Sequence, residues 1–238
     1  MKLDHTFYNT PIAHRGLHNV AEGFPENSLD AIKRALSFNY GVEIDVQISA
    51  DKKAVVFHDY KLDRLTNKIG LIREKTFDEL KSIFLLGSKN KIPLLSDVLN
   101  IIDGKQPVLI EIKDQDGQLG SNVGDLEKEV SKVLSTYNGP VAVMSFNPYS
   151  LKAYRSFGGL DPIGLVTEAF CEIEWPKISI QKLELLRELV YFDQIPCDFI
   201  SHNFQNLDSH PVEKLRNRGV PVLSWTIKSV ADEVKARK

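Results

Sequence analysis

An α/β fold is what the sequence predicts, and three observations predict it. Short runs of apolar and β-branched residues recur along the chain, segments of helical periodicity lie between them, and 238 residues with 42% hydrophobic content suffice for one sizeable core. Such alternation gives parallel strands joined by crossover helices. The expectation is a TIM-like (β/α) barrel with a small insertion after the second strand, organised as one domain over residues 1–238.

The strand candidates, in order, are Ile12–His14, Val42–Val46, Val108–Ile112, Val141–Met144, Ile163–Val166, Phe199–Ser201 and Val220–Trp225. Between the first two, Asn27 and Ser28 stand at an N-cap position before Leu29–Leu36, whose apolar residues fall at helical spacing, and Gly41 marks the return to strand. Between Val46 and Val108 the rhythm breaks. A Val55-Val56-Phe57 run and two helices replace the single crossover, so this stretch is read as an excursion from the barrel. Thr76 caps the first helix, with Glu79 three residues on as a capping box requires, and Leu95–Ile102 is the second. Only about seven residues separate Val46 from Ala54, too few for a parallel crossover of a dozen or more. The Val55 run is therefore not counted in the barrel, which leaves it one strand short of eight. The last segment, Ser229–Lys238, is a helix, and the closing strand is expected to be missing from the sequence.

Bulk charge narrows the partners. With 30 basic and 32 acidic residues in balanced mixture, nothing favours a polyanion, and nucleic-acid binding is not expected. Cys171 and Cys197 form neither a metal spacing nor a disulfide framework and are read as buried bystanders in a reducing compartment. The first eleven residues lack the apolar region of a secretory signal, and no apolar run approaches the roughly 20 residues that span a bilayer. A cytoplasmic protein without stable membrane insertion is the expectation.

Side chains able to do chemistry gather at strand ends, where barrel enzymes keep their sites. His14 and Arg15 follow the first strand, Glu43 and Asp45 lie on the second, and Glu111 and Lys113 on the third barrel strand. One residue separates Glu43 from Asp45, so both carboxylates share a face while Val42, Ile44 and Val46 take the other. Two like charges buried together need a cation nearby. Three converging carboxylates suit a hard divalent cation such as Mg²⁺ or Ca²⁺, and zinc is disfavoured because His/Cys spacing is missing. The competing reading for each carboxylate alone is a solvated strand end or an ion pair. Together with His14 and His58 the set reads as a site. His202, at the end of its strand, and Trp225 are candidates for lining the pocket, and His18 for a substrate contact.

The order and spacing of these groups carry a resemblance. Ile12-Ala13-His14-Arg15-Gly16, Pro25-Glu26-Asn27-Ser28, Gly41-Val42-Glu43-Ile44-Asp45-Val46 and Val55-Val56-Phe57-His58-Asp59, followed by Ile110-Glu111-Ile112-Lys113, Ser145-Phe146 and Ser224-Trp225-Thr226, resemble the glycerophosphodiester phosphodiesterase family. The resemblance implies a metal held by Glu43, Asp45 and Glu111, catalytic histidines at His14 and His58, and Arg15 and Lys113 facing the substrate phosphate, with Glu26 orienting Arg15 or a histidine. It further implies hydrolysis of a small-molecule glycerophosphodiester to glycerol 3-phosphate and an alcohol, with a divalent cation as cofactor. Two alternatives stay open: a phospholipase-type enzyme acting on membrane lipids, and a catalytically silent metal- or phosphate-binding barrel. The family's final turn and strand, expected after the Ser229–Lys238 helix, have no counterpart here.

Overall fold

The computed structural model describes residues 2–237. Its sheet holds β1 (Ile12–Ala13), β2 (Gly41–Ile48), β3 (Ala54–Val56), β4 (Val108–Ile112), β5 (Val141–Ser145), β6 (Ile163–Thr167), β7 (Phe199–Asn203) and β8 (Val222–Trp225). The hydrogen-bonded order is β1-β2-β4-β5-β6-β7-β8, parallel throughout, with β3 attached to β2 alone. The helices are α1 (Thr6–Asn9), α2 (Leu29–Ser37), α3 (Phe77–Leu80), α4 (Leu95–Ile102), α5 (Asp125–Leu134), α6 (Pro148–Ser156), α7 (Ile180–Arg187), α8 (Val190–Gln194), α9 (His210–Asn217) and α10 (Val230–Ala236).

All eight residues of β2 are buried, because this strand is covered on both faces. Val42, Ile44, Val46 and Ile48 look outward and pack with α2 and α4 through Ile32, Ala35, Leu95, Val98 and Leu99. The opposite face looks inward. Leu109 of β4, Ala142 and Met144 of β5, Val166 of β6 and Phe199 of β7 meet in one cluster, joined by Ile12 of β1 and by Leu223 and Trp225 of β8. Strands at the two ends of the hydrogen-bonded order thus share a core, so the sheet is rolled into a TIM-like (β/α) barrel. Leu3 and Phe7, ahead of β1, are buried in the same cluster beside residues at the N-terminal ends of the strands, and they form its floor. Nothing in the sequence of that segment marks it for this role.

The excursion is confirmed and explained by pairing. β3 runs antiparallel to β2, with Val46 opposite Val56 and Ile48 opposite Ala54, a hairpin rather than a barrel crossover. The segment it begins builds a core of its own from Val55, Phe57, Leu62, Leu65, Ile72, Leu80 and Leu85. The caps hold as well: Ser28 accepts from the Ala31 N–H at 3.1 Å, and Thr76 and Glu79 complete the capping box of α3. One expectation fails. Cys171 is exposed, on the loop after β6, because that loop leaves the barrel before the chain turns into α7; Cys197 is half-buried, and burial pushes its thiol up to about 12. No helix among the described residues is long and apolar enough to cross a membrane.

Candidate active site

Parallel pairing sets the acidic centre. Asp45 and Glu111 are register partners on β2 and β4, and Glu43 lies on the inward face of β2 two residues before Asp45. All three are buried, and one carboxylate oxygen from each lies within 4.8 Å of the others. The loop after β1 closes over them. Arg15 takes a left-handed backbone conformation with φ 56° and Gly16 follows at φ 76°; a Cβ on Gly16 would stand 2.9 Å from the Ala31 carbonyl carbon, so glycine alone fits this turn. The turn aims the Arg15 N–H at Glu43 Oε2, which accepts at 2.9 Å, and sets His14 Nε2 at 3.9 Å from the same oxygen.

Cations answer two of the three carboxylates. Lys113 Nζ donates to Glu111 Oε1 at 2.6 Å and lies 3.5 Å from Asp45 Oδ1. Arg15 Nε is 3.4 Å from Asp45 Oδ2, and Asn27 Nδ2 donates to that oxygen at 2.9 Å. Burial works to raise the Asp45 carboxyl, but Lys113, His58, Arg15 and the Asn27 bond together hold it below the ordinary range. Burial likewise opposes the charge on Lys113, yet Glu111 and Asp45 keep its ammonium more strongly protonated than usual. Glu43 differs. Burial first, then Asp45 and Glu111, push its carboxyl well above the ordinary value, and its Oε1 is buried without any hydrogen-bond partner. A buried orphan oxygen among two further carboxylates is the situation a hard divalent cation resolves, and three oxygen donors are the ligand set such an ion prefers. The residues fit a cation.

The second histidine comes from the excursion. His58 follows β3, and its carbonyl accepts from Gln47 Nε2 at 3.0 Å, which ties the excursion to the inward face of β2. His58 Nδ1 lies 2.6 Å from Asp59 Oδ1. Arg64 then bridges loops: it donates to both oxygens of Asp59 at 2.7 Å and to both oxygens of Glu26 at 2.8 and 2.9 Å. Glu26 also accepts from Arg15 Nη1 at 2.9 Å. Burial alone would raise the Asp59 carboxyl; the bonds from His58 and Arg64 overcome it and hold the group far below its ordinary value. His14 is lowered to about 4, first by burial and then by Arg15, so its imidazole is neutral at physiological pH.

His14, Arg15, Glu26, Glu43, Asp45, His58, Glu111 and Lys113 thus form one connected constellation on the inward face of β2 and at the ends of β1, β3 and β4. The remaining candidates part company. Trp225 lies in the barrel's inner cluster. His202 is buried but turned outward, bonded to Thr167 Oγ1 at 2.7 Å and Asn206 Oδ1 at 2.9 Å, because β7 alternates and its neighbour Ile200 packs in the outer layer. His18 is exposed. Sequence reasoning missed Arg64, Asp59 as a partner of His58, and Asn27 as a donor to Asp45. Asp59 and Asn27 sit inside the quoted motifs, so their positions were visible though their bonds were not.

The model of the glycerophosphoryl diester phosphodiesterase family matches residues 14–238. A glycerophosphodiester phosphodiesterase of Caldanaerobacter subterraneus subsp. tengcongensis is 30% identical over 225 residues, covering 91% of this chain and 84% of that protein. One from Bacillus subtilis is 29% identical over 242 residues, covering 93% and 77%. Among solved structures, an Oleispira antarctica phosphodiesterase in complex with the product sn-glycerol-3-phosphate superposes with a TM-score of 0.77 at 24% identity, covering 97% of this chain and 91% of that one. The Thermotoga maritima glycerophosphodiester phosphodiesterase gives 0.70 at 24% identity, covering 96% and 90%. The match of the family model to nearly the whole chain, together with these relatives, establishes that the chain belongs to the glycerophosphoryl diester phosphodiesterase family.

Proposed function

We propose that this chain hydrolyses glycerophosphodiesters to glycerol 3-phosphate and an alcohol, using a divalent cation and two histidines. The observation that carries the reading is the orphan Glu43 oxygen in a buried carboxylate cluster with a neutral imidazole beside it. Glu43, Asp45 and Glu111 would hold the cation. When bound, it supplies charge that stabilises the developing negative phosphoryl oxygens.

Arg15 and Lys113 orient the phosphate by charge, and each is fixed beforehand by carboxylates, so little rearrangement accompanies reaction. His14, neutral near pH 7 because of its burial, is suited to take the proton of the nucleophile, either water directly or the neighbouring glycerol hydroxyl, whose cyclic phosphate water then opens. Asp59 holds a proton on His58 Nδ1 and fixes the ring, which suits His58 to deliver a proton to the departing alkoxide through its other nitrogen. Glu26 and Arg64 act through Arg15 and Asp59 and hold the two histidine-bearing loops together.

Release of glycerol 3-phosphate from a panel of headgroup diesters tests the proposal. Wild type with Mg²⁺, Ca²⁺ or Mn²⁺ is expected to release it, and His14→Ala and His58→Ala to fall by about 10²–10⁴-fold in kcat. EDTA should abolish turnover. Activity that survives chelation refutes the metal role, and no release from any diester refutes the function.

A further inference from the structure

The excursion after β2 lends His58, Asp59 and Arg64 to the proposed reaction, and the rest of its surface has no part in it. Residues 60–92 carry eight lysines and arginines against four aspartates and glutamates, whereas the chain as a whole is formally −2. The balanced total conceals a local excess. Phe84 pairs with Lys91 and Leu85 with Thr66 in antiparallel bridges, and the Leu86 N–H donates to the Leu65 carbonyl at 2.8 Å, so this strip is held extended against the excursion's core. Burial alternates along it. Ile83 and Leu85 point into that core, while Phe84 and Leu86 are 52% and 45% exposed on the other face, which in a half-buried strip is ordinarily polar.

The apolar strip continues onto its neighbours. Gly87 brings its backbone against the loop between β1 and α2, where a Cβ would stand 3.3 Å from Val20 Cγ1, and Val20 is itself exposed. On the other flank Thr66 leads into a turn that carries Ile69, 80% exposed. Lysines stand between these groups. Lys91 Nζ lies 5.2 Å from the centroid of the Phe84 ring, Lys89 comes two residues before it, and Lys68 adjoins Ile69; none of the three makes an ion pair among the described residues. The surface faces the same way as the active site, because Val20 shares its loop with Arg15 and Glu26, and Arg64 clamps the excursion to Glu26.

We propose that Phe84, Leu86, Ile69 and Val20, with Lys68, Lys89 and Lys91 among them, form a docking surface for an anionic lipid bilayer. Apolar side chains exposed together mark an interaction site, and here they can enter the boundary between headgroups and acyl chains. Lysines without an acidic partner attract lipid phosphates, and their long stems lie along the apolar region while the ammonium stays in water. Charge complementarity therefore selects an anionic surface. A bilayer is favoured over an acidic protein because the apolar groups come from three separate loops with cations interspersed, a pattern that a fluid surface meets without a matching groove. Docking brings the barrel mouth to the membrane with no segment crossing it. The inference goes beyond the proposed reaction and does not rest on it.

Flotation of the full chain with phosphatidylcholine vesicles, with and without phosphatidylglycerol as about a third of the lipid, tests the proposal. Wild type should partition at least about tenfold more strongly onto the anionic vesicles, and ~0.5 M salt should remove most of that difference. Phe84→Ser should weaken binding to them about tenfold, and Lys89→Ala combined with Lys91→Ala about 20-fold. Leu160→Ser, at a leucine 70% exposed just ahead of β6 on the far end of the barrel, should bind as wild type does. All of these side chains are at the surface, so the urea midpoint and the turnover of a soluble diester should stay unchanged, which separates a docking defect from a folding one. A wild type that ignores anionic vesicles, a Phe84→Ser variant that binds them equally well, or a wild-type oligomer that Phe84→Ser dissociates overturns the docking surface. Vesicle binding by a protein that cleaves no diester refutes the reaction and leaves the docking surface standing.

Discussion

In water a glutamate loses its proton near pH 4.5, but at Glu43 burial and two neighbouring carboxylates favour keeping it. A raised folded value means that the contribution to stability is complete below pH 4.5 and is lost as pH rises through the folded value, so ionised Glu43 strains the metal-free protein. Glu43→Gln should therefore be at least as stable as wild type at pH 8 in EDTA. It should also forgo the gain of about 2.7 kcal/mol that a cation at 100 times its Kd confers on wild type. Urea denaturation with and without Mg²⁺ or Ca²⁺ checks both halves, and an equal gain in the two proteins would remove Glu43 from the metal centre. Much of this site was legible at the residue scale, since Glu43 and Asp45 one residue apart on a strand must share a face. The partnership of Asp45 with Glu111 was less so, because strand register is set across a long crossover. Arg64 left no mark at all: it lies 38 positions from Glu26, with no periodicity linking them.

Helix α5 shows how an element carries an ionisable group into the interior. It starts at Gly124, whose N–H donates to Glu127 Oε2 at 2.7 Å, so the side chain serves as a cap. Glu127 is nevertheless fully buried beside Ser150 of α6, and burial lifts its carboxyl above the ordinary 4.5 although Ser150 and the Gly124 N–H both pull the other way. By the same sign, its contribution to stability drains away as pH rises above 4.5. Glu127→Gln retains the capping oxygen and carries no charge to bury. The variant should overtake wild type with rising pH, by about 1–3 kcal/mol once the wild-type carboxylate is charged. Chemical denaturation at pH 5 and pH 8 reads the difference, and a constant offset would show that ionisation is not involved. Elements with strong local signals were readable: β-branched runs gave the strands, and Ser28 and the Thr76–Glu79 pair gave helix starts. The four residues of α1 are too few to show a helical period, so nothing local distinguished Thr6–Asn9 from a loop.

At the scale of the whole molecule, the rolled sheet depends on a floor supplied by residues ahead of β1. Phe7, buried against Leu109, Ala142 and Phe199, fills the space that the inward faces leave at the N-terminal end. Phe7→Ala should cost about 3–5 kcal/mol in urea denaturation; a cost below about 1 kcal/mol would show that the floor closes without it. The barrel itself was foreseen from alternation, and the β3 hairpin from the short gap after Val46, because both are questions of chain length and period. Which face of β7 His202 would occupy was not, since strand alternation fixes sides only once the register is known. A sealed base has its own corollary for traffic through the proposed catalyst. With Leu3 and Phe7 corking one end among the described residues, reactant and both products of the proposed hydrolysis would share the opening at the other. Whichever fragment lingers there obstructs the next arrival.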